Sequence, residues 1–97
     1  MALAAVFRPE AEAEVLDVRE WYESRSAGLG KRFAVGVDSL VARIVANPLA
    51  FPQVDGQTRR AVLTGFPYAI YFRSDDVNVV VLAVHGRQDP ARWRARS

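Results

Sequence analysis

The chain has one histidine, His85, standing where an apolar run ends in "VVVLAVHGRQDPARW", residues 79–93. An imidazole can take or give a proton near neutral pH, which is what a general acid or base must do. Tyr71 and Arg73, in "YAIYFR" (68–73), are the other catalytic candidates. A tyrosine ring can stack on a nucleobase, and an arginine fork suits phosphate. Each residue also has a structural reading. His85 can bond to the turn formed by Gly86, Tyr71 can simply cover its sheet, and Arg73 can be a solvated charge. The three make a thin catalytic set. Cysteine is absent, which excludes disulfides, thiolate nucleophiles and cysteine–zinc sites. One histidine excludes a multi-histidine metal centre, and no cofactor is expected.

Binding residues are more numerous. The net charge is only +2, but it is unevenly spread. Residues 1–48 hold six basic and seven acidic side chains, and residues 49–97 hold seven and four. Lys31 is the one lysine against twelve arginines, a bias that GC-rich coding also produces. The tail, residues 86–97, is the densest cluster, with Arg87, Arg92, Arg94 and Arg96 against Asp89. Such a segment can meet nucleic acid or an acidic protein. Arg60 and Arg73 join it as candidate target contacts, although the pattern does not fix which of Arg59 and Arg60 shares a face with Tyr71. Trp93 either anchors the tail or meets a partner.

The elements that must position these residues follow from periodicity. A chain of 97 residues with 51% apolar and 25% charged content reads as one globular domain, 1–97. "ALAAVF" (2–7) predicts a short buried strand. Pro9 suits the first turn of a helix, and Glu10, Glu12 and Glu14 follow where the helix dipole favours acids. Ala11, Val15, Val18 and Tyr22 recur at helical spacing, with Trp21 beside them. "SRSAGLG" (24–30) is a turn. Phe33, Val37, Leu40 and Ile44 form one apolar face of a second helix. Gly36 lies inside that helix and offers a place for the two helices to approach. "NP" (47–48) ends it.

The period then changes to two. "TRRAVLT" (58–64), "YAIYFR" (68–73) and "VNVVVLAVH" (77–85) predict three strands. The expected fold is α+β, in the order β-α-α-β-β-β, with a helical hairpin packed on one face of a mainly antiparallel four-stranded sheet. Tyr68, Ile70, Phe72, Val80, Leu82 and Val84 are expected to face the helices. Tyr71, Arg73 and His85 are expected on the open side. No apolar stretch has transmembrane length, and the N-terminus reads as a strand rather than a secretion signal, so a cytoplasmic protein is expected.

Together, "GLGKRF", "NPLAFPQV", "RRAVLTGFPYAIYFR" and "VVVLAVHGRQDPARW", in this element order, resemble the RelE/ParE toxin superfamily over nearly the whole chain. "FPYAIYF" and "AVHGRQDP" are similar to its ParE side, often described as plasmid stabilisation proteins. The resemblance implies a bacterial type II toxin that binds a cognate antitoxin as a hetero-oligomer and inhibits DNA gyrase. The antitoxin is expected across the helix hairpin at Trp21 and Tyr22, as an amphipathic helix in a groove with strand addition at the sheet edge. One alternative is a RelE-like, ribosome-dependent endoribonuclease acting on mRNA. Another is a non-toxic relative that keeps only the antitoxin-binding surface. After His85 the chain has no tyrosine, lysine or glutamate, which moves weight from the nuclease to the ParE-like reading.

Overall fold

The computed structural model describes residues 3–86. Its elements are β1 (Ala4–Phe7), α1 (Pro9–Arg25), α2 (Leu29–Ala46), a 3-10 turn (Pro48–Ala50), β2 (Gln53–Asp55), β3 (Thr58–Val62), β4 (Tyr68–Ser74) and β5 (Asn78–Gly86). The strands form one sheet in the order β1-β5-β4-β3-β2. β1 runs parallel to β5, and the other pairings are antiparallel. The α+β class and the helical hairpin on the sheet are as expected, but the sheet has five strands, not four. The additional strand, β2, lies within "FPQVDGQ". Three residues are too few to show a period. β2 exists because Arg60 N–H donates to Pro52 O and Gly56, at φ 55°, closes a tight turn into β3. β1 also departs from expectation. It is an edge strand, and Ala4, Ala5 and Val6 are exposed rather than buried.

α2 supplies most of the helical side of the core. Phe33, Val37, Leu40 and Ile44 are all buried, as their spacing predicts. They pack with Ala61, Leu63, Ile70, Phe72, Val79, Val81 and Val84. Here the strand faces depart from simple alternation. Tyr71 pairs with Ala83 but Phe72 pairs with Val81, leaving Leu82 unmatched in a β-bulge. The extra residue shifts the phase of β5. Val79 and Val81 therefore join the helix-side cluster, where Val80 and Leu82 were expected. Leu82 is still fully buried.

The helices meet at Gly30, not at Gly36. A Cβ on Gly30 would lie 2.5 Å from the Arg19 carbonyl oxygen, whereas one on Gly36 would meet only the Leu63 side chain at 4.0 Å. Just before this contact, Gly28 adopts φ 87°, which opens α2 without a side-chain cap of its own. The cap comes from α1. Gly28 N–H and Gly30 N–H donate to the two carboxylate oxygens of Glu23 at 2.8 and 3.0 Å.

Candidate functional site

Two regions carry the candidate residues: the outer side of the helix hairpin, and the sheet face away from it together with the end of β5. On the hairpin, Trp21 is 51% exposed. Its ring meets Tyr22 edge-on at 5.1 Å, and the Arg25 guanidinium sits 4.7 Å over it. Tyr22 is half-buried. It turns inward against Phe33, Phe66 and Tyr68. Partial burial, with Tyr68 beside it, pushes its hydroxyl pKa up. Thus Trp21 is presented to solvent while Tyr22 supports it from below. Leu16 on α1 and Val35 on α2 are also exposed, at 53% and 54%. One cleft of about 310 Å³ lies between Phe7, Glu12, Val15, Leu16, Val37 and Asp38. A second, of about 430 Å³, is lined by Lys31, Arg32, Val35, Gly36, Thr64 and Phe66 around Gly28.

The far face is more closed than the sequence implied. Arg60 is the cross-strand partner of Tyr71, which settles the register of the two arginines. Arg59 pairs with Phe72 and donates from Nη1 to Phe51 O at 2.6 Å. Arg60 is half-buried, and its Nε is buried without a hydrogen-bond partner among the described residues. Tyr71 is not on an open surface. It is 1% exposed and packs with Ala69 and Ala83, with Val54 against them. The unforeseen β2 brings Val54 there. Arg73 is exposed and lines a cleft with Asp55, Gly56, Gln57 and Thr58.

His85 is also buried, at 3% exposure, and lies 6.4 Å from the Tyr71 ring. Its Nε2 bonds to Glu14 Oε2 on α1, while Glu14 Oε1 accepts the Val84 N–H at 3.0 Å. The sequence does not mark Glu14 as a neighbour of His85, because it lies 71 residues away along the chain. Its only sequence signal is its place among the early acids of α1, where the helix dipole already accounts for it. Nδ1 of His85 is buried and has no hydrogen-bond partner among the described residues. Tyr71 and Arg73 thus share a face, but the imidazole is engaged toward α1. The three do not converge on an accessible point. Arg87, Arg92, Arg94, Arg96 and Trp93 lie outside the described residues.

Among the described residues, no group of three or more metal-ligating side chains is gathered, and no helix is long and apolar enough to cross a membrane. No family model matches the sequence, and no curated protein does. Among solved structures, the chain is similar to one from the chromosomal ParDE TA system of P. aeruginosa. The two are 18% identical, with 87% of this chain and 95% of that chain covered, at a TM-score of 0.64. The fold is shared with a ParDE chain. The resemblance read from the sequence therefore holds at the level of fold, and for nearly the full length of that neighbour.

Proposed function

We propose that this chain is the toxin of a type II toxin–antitoxin module of ParE type. The observation that carries the reading is the ParDE-like fold over 87% of the chain. A cognate antitoxin binds the hairpin, with Trp21 as its main contact and Tyr22 as the floor beneath it. The exposed Trp21, Leu16 and Val35 support this, because aromatic and aliphatic anchors flanked by clefts are what an amphipathic segment uses. The protein works in the cytoplasm as a single domain with a basic tail at 86–97.

The proposed target is DNA gyrase, bound rather than chemically altered. Arg60, Arg73, Arg87, Arg92, Arg94 and Arg96 are the proposed contacts, through many small electrostatic attractions. Burial of His85 and its engagement by Glu14 favour binding over cleavage. A general base must come within hydrogen-bond reach of the proton it removes, and this imidazole is engaged by Glu14 of α1.

The experiment is induction of the chain alone, with DNA and protein synthesis followed separately and messages sequenced. Filamentation with DNA damage, relieved by a co-expressed small neighbouring protein, is the expected result. Rapid translation arrest with site-specific message cleavage, lost in His85→Ala, would replace this reading with the endoribonuclease. Normal growth would favour the non-toxic relative.

A further inference from the structure

β5 outruns its parallel neighbour. β1 pairs with it only as far as Phe7 opposite Val81, and Arg8 N–H closes the ladder on Val81 O at 2.9 Å. Beyond that point the chain leaves the sheet to enter α1, and β5 continues to Gly86. An unpaired buried amide there would cost free energy comparable to a lost hydrogen bond. The Val84 amide is satisfied instead by a side chain, Glu14 Oε1 at 3.0 Å. The second oxygen of the same carboxylate takes His85 Nε2. One carboxylate thus stands in for a missing strand and engages the next residue's ring.

The chemistry of the donors fixes the proton. An ionised carboxylate has no hydrogen to give, so the hydrogen of the contact is on Nε2. In the neutral ring, Nδ1 is then a bare lone pair, consistent with its burial without a partner among the described residues. We infer that Glu14 and His85 form a latch that fixes α1 on the unpaired end of β5 and holds the imidazole as the Nε2–H tautomer. Among the described residues, the titratable groups around the latch are Asp17 on α1 and Tyr68 on β4, which line the same cleft, and Tyr71, whose ring faces the imidazole. Among the described residues, α2 and β1 contribute none to that cleft. The latch joins the helix that bears Trp21 to the strand that leads into the arginine segment.

A chain with one histidine makes the test direct. In the full-length ¹⁵N-labelled protein at neutral pH, imidazole spectra should show a single Nε2–H tautomer, and the Val84 amide should be protected from exchange. In Glu14→Ala, Val84 should exchange at least about tenfold faster, the factor a hydrogen bond to a charged group is worth. The Val79 amide serves as the internal control for folding. Glu14→Gln keeps the size and one acceptor, so it tests the latch even if the alanine variant does not fold. Val84 should stay protected, while the amide NH₂ facing the ring drives the imidazole to its Nδ1–H form. A wild-type ring in the Nδ1–H form or averaging between tautomers would overturn the inference. So would Val84 exchange that is unchanged in Glu14→Ala. None of these readouts involves toxicity or a partner, so their failure would leave the proposed function standing.

Discussion

The two helices are held to the same sheet by different physics. α2 buries Gly30, Phe33, Val37, Leu40 and Ile44, whereas α1 buries only Ala11. α2 is an apolar stripe inserted into the core. α1 has half-buried Val15, Val18 and Tyr22 against that core, but its two fixed points are carboxylates. Glu14 holds it to β5, and Glu23 holds it to the first amides of α2. A helix attached in this way leaves apolar side chains for something else, and Leu16 and Trp21 are half exposed. The difference separates a helix that makes the fold from one that presents a surface.

The largest expected effect is therefore on α2. Leu40 is 4% exposed in the main cluster, so Leu40→Ala should cost about 2–5 kcal/mol in urea unfolding. Total stability of such domains is about 5–15 kcal/mol, so the folded population should fall sharply. A loss below about 1 kcal/mol would end the contrast between the helices.

Next comes the seam between them. A methyl group on Gly30 would sit 2.5 Å from the Arg19 carbonyl oxygen, which is backbone and cannot swing aside. Gly30→Ala should cost about 1–3 kcal/mol by overpacking. Gly36→Ala should be neutral or stabilising by up to about 1 kcal/mol, since the site is roomy and alanine is the better helix former. Equal effects at the two glycines would refute the placement of the close approach.

The α1 surface should behave oppositely. Trp21→Ala loses an edge contact with Tyr22 and the cation–π contact with Arg25, together about 1–2 kcal/mol at an exposed site. Under the proposed function its larger effect should appear in partner binding, where a buried tryptophan anchor is worth about 2 kcal/mol or more. Calorimetric titration with the proposed antitoxin would separate the two. A large stability loss with unchanged affinity would make Trp21 a core residue.

What the sequence made legible follows the same division. Phe33, Val37, Leu40 and Ile44 announced themselves because apolar burial leaves a period. β2 left none, because three residues are less than two full alternations. The Leu82 bulge was invisible for another reason. It is set by how β4 and β5 pair, and alternation within β5 alone continues straight through it. The surroundings of His85 were missed because Glu14 reaches it through tertiary packing. The early acids of α1 have a sufficient local explanation in the helix dipole, so nothing marked one of them as a ligand of the distant imidazole. Tyr71 was placed on the correct face but judged open, an error that follows from missing β2 and its Val54.

The smallest expected effect tests the second carboxylate. Backbone N–H groups hold Glu23 below the usual carboxylate pKa, Gly28 contributing most and then Gly30 and Lys31, with a smaller attraction from Arg19. α2 has no acid in its own first turn, so Glu23 also supplies the negative charge its dipole favours. The folded pKa is depressed, so the unfolded chain binds this proton more readily. The stabilisation is fully present above the unfolded value, near pH 4.3. It is lost as pH falls through the lower folded value. Asp75 carries a shift of the same sign, from the Asn78 and Val77 amides, so wild-type acid sensitivity alone cannot be assigned to Glu23. The difference between wild type and Glu23→Gln can be. Urea midpoints should differ by a constant amount above about pH 5 and converge as pH falls through the lowered folded value of Glu23. A difference that does not vary with pH would mean that the side chain acts through size and hydrogen bonding alone. In that case Glu14 would remain, among the described residues, as the carboxylate that fixes α1 to the sheet.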